Sequence, residues 1–229
     1  GGLNPTMAQK GYAVLSPSDA ALWVGSPLSE LNALLPFWDH MPLDAHLKDG
    51  GSYRRRRHSC FEFHHDKLAQ TPHRAHWQSL DYNALHGGMD RWFEPMSQDM
   101  VTLPVWTQLL TAFAQACSQW RNKPHAHWCI EAHPFRIDCS QGIGRPTPEG
   151  AHRDGVDFVA VFMVNRVGIK GGETRVFDAN GPQGERFTLS EPWSLMLLDD
   201  TRMIHESTPI QPLAEGGYRD TLVLTCRAD

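Results

Sequence analysis

The sequence predicts a mainly β fold, a sandwich or jelly roll whose strands are flanked by N-terminal and central α-helices. Three observations predict it. Helix signals concentrate in the first half of the chain, short β-type segments follow one another after Pro124, and Gly- and Pro-rich turns separate those segments. At 229 residues, 41% of them hydrophobic, we expect one domain spanning 1–229. Its helical part would cover about 1–125 and its β core about 126–229.

The first forty residues are predicted to be helical. Ser16-Pro17 precedes residues 19–24 and Ser26-Pro27 precedes residues 28–35, so each segment has an N-cap residue followed by Pro at the first helical position. Pro36 is expected to end the second of these helices.

The middle of the chain contains one predicted strand and one long helix. Residues 53–63 are predicted to form a strand, and Gly87 and Gly88 a turn. A helix is predicted from Pro104, with apolar residues at i, i+3, i+4 and i+7 spacing. Its apolar face comprises Trp106, Leu109, Leu110, Phe113, Ala116, Cys117 and Trp120. The strands predicted after Pro124 are 128–139, 157–167, 173–177, 194–198, 203–206 and 219–227.

A spaced set of polar residues marks the candidate site. His152-Arg153-Asp154 is followed by His205, 51 residues after Asp154, and by Arg219-Asp220-Thr221, which begins 14 residues later. Two histidines and one carboxylate are the ligand set of non-haem Fe(II) sites that keep coordination positions open. Residues two apart on a strand share a face. Taken singly, His152 and Asp154 could be loop residues and His205 a core histidine, and a second H-x-D at His64-His65-Asp66 has no matching third ligand.

The order and spacing of these residues resemble the iron- and 2-oxoglutarate-dependent dioxygenases. The stretch 146–155, Gly171-Gly172-Glu173-Thr174 and Leu198-Asp199-Asp200 resemble one bacterial branch in particular, which includes L-isoleucine 4-hydroxylase and a stress- and biofilm-associated group. The resemblance is dense over 128–227. It is sparser upstream, at residues 53–58, Tyr82-Asn83 and residues 87–93.

The resemblance implies a double-stranded β-helix, a cupin-like jelly roll, that uses Fe(II), 2-oxoglutarate and O2. It implies that a small molecule, a free aliphatic L-amino acid, is hydroxylated with release of succinate and CO2. His152, Asp154 and His205 would hold the metal. Arg219 would pair with the distal carboxylate of 2-oxoglutarate, because a guanidinium makes two parallel charge-assisted hydrogen bonds, and Thr221 would add a hydroxyl donor. A carboxylate at position 154 argues against halogenation.

Six residues are candidates for the substrate. Arg54 and Arg56 are alternate members of the run Arg54 to Arg57, and such a pair could point inward towards a substrate carboxylate; the run could equally form a solvated basic patch. Arg136, in a predicted strand, is a second carboxylate candidate. The remaining candidates, for which structural roles are the competing interpretation, are Arg145, Glu173 and Thr174.

Two other classes of function compete with this interpretation. His125-x-His127-x3-Glu131 matches the opening of a cupin metal motif, but Phe187 stands where the second motif needs His. A non-catalytic or regulatory stress- and biofilm-associated binding protein could use the same fold. Turnover of 2-oxoglutarate would separate that protein from an enzyme.

Composition limits the partners and the location. The net charge of −5 argues against nucleic acid, and no apolar run approaches the roughly 20 residues needed to cross a membrane. The first ten residues lack the layout of a signal peptide. Five cysteines without a C-x-x-C pair indicate reduced thiols and a cytoplasmic protein. The sequence leaves the oligomeric state open, a homodimer included.

Overall fold

The computed structural model describes residues 2–47, 49–77 and 91–229. Within them, the helices are α1 Leu3–Lys10, α2 Pro17–Val24, α3 Leu28–Leu31, a 3-10 helix Asn32–Trp38, α4 Gln98–Val101 and α5 Pro104–Trp120. The strands are β1 Tyr12–Leu15, β2 Arg54–Arg56, β3 Ser59–His64, β4 Lys67–Gln70, β5 Trp128–Asp138, β6 Phe158–Val167, β7 Ile169–Gly171, β8 Thr174–Asp178, β9 Gly184–Phe187, β10 Leu195–Asp199, β11 Met203–Ser207, β12 Ile210–Pro212 and β13 Tyr218–Ala228. The predicted mainly β fold is confirmed.

The strands form one large antiparallel sheet and two small ones. The large sheet has the order β1-β10-β6-β13-β5-β3-β4, and β2 also pairs with β5. The small sheets are β11-β8-β9 and β12-β7. From β6 onward the chain passes back and forth between the large sheet, which holds β6, β10 and β13, and the small sheets, which hold the strands between them. This arrangement is that of a jelly roll.

Side chains alternate between the two faces of the large sheet and fill two different cores. On β6, Phe158, Ala160 and Phe162 pack in the larger core with α5. Val159, Val161 and Met163 point to the other face, where they pack with Val176 of β8 and Met203 of β11. The second face is therefore the inner face, enclosed between the sheets, and it is the face to which the candidate site belongs.

The predicted central helix is confirmed as α5. Trp106, Leu109, Leu110, Phe113 and Cys117 are fully buried against the outer face of the sheet. Pro104 begins the helix, as its fixed φ and missing N–H favour at a first helical position.

Three predictions for the N-terminal half were wrong in part. The first forty residues are not all helical, because Tyr12–Leu15 pairs with β10 as an edge strand of the large sheet. Pro36 does not end the second helix; the chain continues through it as a 3-10 helix to Trp38. The predicted strand 53–63 is two strands, β2 and β3, that pair with successive parts of β5.

The other predicted elements differ from the structure by one or two residues at their ends. Ser16 caps α2 as expected, because its hydroxyl accepts from the backbone N–H of Asp19. The short strands β1, β4, β7, β9 and β12 were not predicted. The predicted turn at Gly87 and Gly88 and the resemblance at Tyr82-Asn83 lie outside the described residues.

No helix of the described residues is long and apolar enough to cross a membrane. All five cysteines are free thiols.

Candidate active site

Three side chains from two separate segments meet on the inner face. His152 and His205 exchange both backbone hydrogen bonds, N to O 2.9 and 3.0 Å, so their side chains leave the pair on the same side. Their ring centroids are 4.5 Å apart. Asp154 turns its carboxylate between them, 3.5 Å from Nε2 of His152 and 3.9 Å from Nε2 of His205. One donor atom from each residue therefore lies within 4.8 Å of the other two.

Neighbouring backbone groups fix the orientation of this triad. Nδ1 of His152 lies 3.1 Å from the carbonyl oxygen of Gly150, which favours the tautomer that leaves Nε2 free to ligate. Asp200 is fully buried and accepts hydrogen bonds from the backbone N–H groups of Asp154, Gly155 and Val156. Gly155 has a φ of 79°, a conformation that glycine adopts without strain. Asp200 thus holds the turn that presents Asp154.

The charges of the triad complement a cation. Burial opposes the charge on His152, but the carboxylate of Asp154 outweighs it and raises the pKa of His152 to about 10. Burial acts against Asp154 as well, yet His152 holds the pKa of Asp154 well below its ordinary value. Burial, with the charge of His152, lowers the pKa of His205 to about 4. A metal cation bound here would replace the proton on His152 as the partner of an ionised carboxylate.

Arg219 lies on β13 of the same inner face and has no acidic partner among the described residues. It is buried, and none of those residues accepts a hydrogen bond from its Nε. A terminal nitrogen of its guanidinium makes a long hydrogen bond, 3.5 Å, to the hydroxyl of Ser207. Burial, together with the charge of Arg166, lowers the pKa of Arg219 to about 10. A buried guanidinium in this state is a strong site for a carboxylate, because pairing would recover the cost of its burial.

Thr221 is two residues from Arg219 and is buried on the same strand. Between them, the pairing of β13 with β6 shifts register at Asp220 and Thr221, an irregularity of the kind that re-aims side chains. The backbone carbonyl of Thr221 accepts from the indole N–H of Trp38, which ties this strand to the N-terminal 3-10 helix.

This donor set fits Fe(II), and Arg219 fits the carboxylate of a keto acid co-substrate. A sequence model of the 2OG-Fe dioxygenase family matches residues 35–225. The chain belongs to the 2OG-Fe dioxygenase family. It is therefore a 2-oxoglutarate-dependent dioxygenase, and its cofactor and co-substrates are Fe(II), 2-oxoglutarate and O2.

Several solved structures are similar to this chain. A bsmA homolog from Methylobium petroleophilum PM1 is 53% identical, with a TM-score of 0.92, covering 98% of this dioxygenase and 91% of the homolog. IDO from Bacillus thuringiensis is 16% identical, with a TM-score of 0.75, covering 99% and 94% of the two chains. A Pseudomonas putida prolyl-4-hydroxylase is 16% identical, with a TM-score of 0.54, covering 99% and 97%. The last two show the fold alone. No curated protein matches the sequence significantly.

Arg54 and Arg56 both point inward from β2, but their surroundings differ. The guanidinium of Arg54 is neutralised by the buried carboxylate of Asp44, 2.8 Å from its Nε. Arg56 has no acidic partner among the described residues; it lies between the rings of Phe93 and Phe135, 3.6 and 4.5 Å from their centroids. Arg56 therefore remains available to an anion, whereas Arg54 is occupied.

The structure does not bring Arg136 or Glu173 to the triad. Arg136 points to the outer face of the large sheet, since it alternates with the inward residues of β5, and it is paired with Asp220 at 2.7 Å. Glu173 is paired with Arg175 at 3.1 Å, with 35% of its side chain exposed. Thr174 is buried opposite Ser207, two residues along β11 from His205. Arg145 is exposed in the loop before the triad, and its role stays a prediction.

Several inner-face residues were missed from the sequence. Ser207 could have been found by counting, because it is two residues beyond His205 on the same strand. The larger omission is the histidine cluster, a term used below for His58, His76, Glu131 and His133, whose donor atoms also lie within 4.8 Å of one another. Glu131 and His133 are two residues apart on β5, so the sequence predicts that their side chains share a face. His58 and His76 come from segments without a periodic signal.

The histidine cluster gives the dioxygenase a predictable sensitivity to acid. Burial lowers the pKa of His58 to about 4, although Glu131 accepts its Nε2 proton at 2.6 Å. An unfolded histidine has a pKa of about 6.5, so the stability that His58 contributes is fully present above that pH and is lost as the pH falls towards 4. We expect the loss for this one group to reach about 3 kcal/mol of unfolding free energy.

The measurement is urea unfolding of the metal-free protein at pH 7.5 and at pH 5. His58→Gln keeps a donor for Glu131 but does not titrate. The unfolding free energy of this variant should therefore fall less between pH 7.5 and pH 5 than that of the parent. His125→Gln, at an exposed position, is the control and should follow the parent. Equal pH dependence in all three proteins would contradict the role given to His58.

Proposed function

We propose that this dioxygenase hydroxylates a free aliphatic L-amino acid, as a cytoplasmic single-domain enzyme of the branch that includes L-isoleucine 4-hydroxylase. We assign Fe(II) to His152, Asp154 and His205, and the distal carboxylate of 2-oxoglutarate to Arg219, with the Thr221 hydroxyl beside it. The observation that carries the proposal is the buried Arg219, which has no acidic partner among the described residues and lies on the same inner face as a complete 2-His-1-carboxylate set.

When bound, iron and 2-oxoglutarate supply an oxidation by O2 in which the keto acid becomes succinate and CO2 and a substrate C–H becomes C–OH. The side chains of this chain bind and orient the reactants. His152, Asp154 and His205 would hold the metal as its two imidazole ligands and one carboxylate ligand. Arg219 would bind the distal carboxylate of the keto acid and so restrict its orientation. The surrounding apolar residues of the inner core keep water away from this chemistry.

A small-molecule substrate is supported by the enclosed position of the polar residues around the triad. Arg56, His58, Glu131 and His133 are buried and His76 is partly buried, so their polar atoms are accessible to a small ligand rather than to a macromolecule. Arg56 without an acid partner favours a ligand with a carboxylate, which every free amino acid has. These observations support the amino acid class and leave its side chain open.

The test is an anaerobic titration of the protein with Fe(II) and then 2-oxoglutarate, followed by admission of air in the presence of individual L-amino acids. The visible absorbance of a keto acid bound at Fe(II) should develop, and succinate release should rise several-fold with one group of aliphatic amino acids. Absorbance without stimulation by any amino acid would contradict the substrate class. Absence of both, in a folded and iron-loaded protein, would overturn the site and favour a non-catalytic binding protein.

A further inference from the structure

The inner face carries buried positive charge that the described acidic residues do not neutralise. Arg56 and Arg91 are 3% and 9% exposed, and the Nε of each has no hydrogen-bond partner among the described residues. Both guanidinium groups lie near the ring of Phe93, at 3.6 and 5.9 Å from its centroid. Ions in such surroundings are costly to bury alone, which indicates that an anion belongs beside them.

The position of these arginines is set by β2 and β5. Arg56 is opposite Phe135 on β5, and Phe135 is opposite Thr221 on β13, so Arg56 shares the inner face with the residues assigned to 2-oxoglutarate. Arg91 is the first residue of the described range 91–229, and it forms a backbone bridge with His76. The carboxylate of Asp154 is close enough to oppose the lowering of the Arg91 pKa by burial and by Arg54. Arg91 therefore lies near the metal triad, and Arg56 lies beside Arg91 around the ring of Phe93.

The histidine cluster places one ionised acid next to this positive charge. Oε1 of Glu131 accepts from Nε2 of His58 at 2.6 Å, from Nδ1 of His76 at 3.2 Å and from the backbone N–H of Trp77 at 3.1 Å. No described residue donates to its Oε2. Burial raises the pKa of Glu131, but the two histidines outweigh it and hold that pKa well below its ordinary value. Glu131 is therefore a carboxylate with one oxygen held by three donors and the other without a donor among the described residues.

His133 connects the two charges. Its Nδ1 lies 2.6 Å from a terminal nitrogen of Arg56, and its ring stacks on His58, with centroids 5.0 Å apart. Because arginine can only donate, Nδ1 of His133 accepts and its Nε2 carries the proton. A protonated Nε2 cannot ligate a metal, and a second dication would lie against Arg56. The histidine cluster is thus poorly suited to a second metal, although its spacing resembles a ligand set.

We propose that Arg56 and Arg91 bind the carboxylate of the substrate and that Glu131 accepts its ammonium group, so the histidine cluster is the recognition site for a zwitterionic α-amino acid. This inference rests on the proposed function and specifies it. His133 holds Arg56 towards the carboxylate, while His58 and His76 orient Glu131 so that Oε2 faces the ligand. Arg56, fixed between two phenylalanine rings, loses little freedom on binding.

The test compares three ligands by anaerobic calorimetry on the protein loaded with Fe(II) and 2-oxoglutarate. The ligands are an amino acid, the carboxylic acid that lacks only its amino group, and the amine that lacks only its carboxyl group. Probes are L-leucine with 4-methylpentanoate and 3-methylbutylamine, and the corresponding sets for L-isoleucine and L-methionine. We expect at least one amino acid to bind roughly tenfold or more tightly than both its analogues, since each loses a hydrogen-bonded charge.

Variants assign each charge to its residue. Glu131→Gln should weaken the amino acid roughly tenfold and leave the carboxylic acid unchanged, whereas Arg56→Met and Arg91→Met should weaken both. Matched controls are Glu62→Gln, a half-exposed acid paired with His127, and Arg55→Met, next to Arg56 on the opposite face of β2. Both controls should bind like the parent. Because the ligand comparison uses the parent protein, it decides the proposal even where a variant fails to fold.

The two proposals fail in different ways. If 2-oxoglutarate does not bind the iron-loaded parent, the proposed function falls, and this recognition site with it. If 2-oxoglutarate binds and is turned over, yet the carboxylic acids bind as tightly as the amino acids, or Glu131→Gln leaves that preference intact, the recognition site alone is overturned.

Discussion

Replacing Arg219 with alanine should weaken 2-oxoglutarate binding by roughly a hundredfold or more and leave Fe(II) binding nearly unchanged. Truncating one partner of a buried, hydrogen-bonded charge pair costs about 2–5 kcal/mol, and Arg219 is the buried cation assigned to the keto acid. The measurement is anaerobic titration with 2-oxoglutarate at fixed Fe(II), together with the KM for 2-oxoglutarate in succinate release.

Two further measurements separate binding from general damage. Arg186→Ala, at an exposed position on β9, should behave as the parent. The ligand-free Arg219→Ala protein should be no less stable than the parent, because an unpaired buried guanidinium costs more than it contributes. An unchanged KM for 2-oxoglutarate in Arg219→Ala would remove Arg219 from the site.

Replacing His205 with alanine should abolish iron-dependent turnover. Mutation of a residue that merely orients a metal ligand typically lowers metal affinity or activity by about 10–100-fold. Removal of a ligand itself should therefore lower the Fe(II) affinity by more than about a hundredfold. The backbone bridge to His152 does not need the imidazole, and the protein should stay folded. Fe(II) affinity, measured by competition with a chelator, and succinate release are the readouts.

His125→Ala is the matched control, because this histidine is exposed and lies outside both the triad and the histidine cluster. It should retain the iron affinity and turnover of the parent. Succinate release by His205→Ala within a few-fold of the parent would show that the third ligand is another residue.

The fold was predictable where a single periodicity or a strong terminus signal determines the element. The apolar spacing of α5 and the continuous apolar run that begins β6 are local signals of this kind. The edge strand Tyr12–Leu15 was not predictable in this way, because its identity depends on pairing with β10 almost two hundred residues later. Pro36 was misjudged for a related reason: a 3-10 helix tolerates the missing N–H when the segment is held by tertiary packing, here of the buried Leu34 and Trp38.

The candidate site was predictable only where one strand or one motif brings its residues together. His152, Asp154, His205 and Arg219 stand at spacings that can be read from the chain. The histidine cluster could not be predicted, because His58, His76 and Glu131 meet through the pairing of β3 with β5 and through a loop without a regular pattern. Arg136 is a candidate that the structure does not bring to the site. Its neighbours Phe135 and Ile137 point to the inner face, so Arg136 itself points to the outer face, where it is paired with Asp220.

The backbone bridge between His152 and His205 has an evolutionary consequence. Two main-chain hydrogen bonds set the spacing of these positions, and a buried aspartate holds the following turn by main-chain N–H groups alone. None of these contacts depends on which side chains occupy positions 152, 154 and 205. Mutations can therefore exchange the ligands one at a time without dismantling their scaffold, so new metal chemistries can arise in this framework by single substitutions.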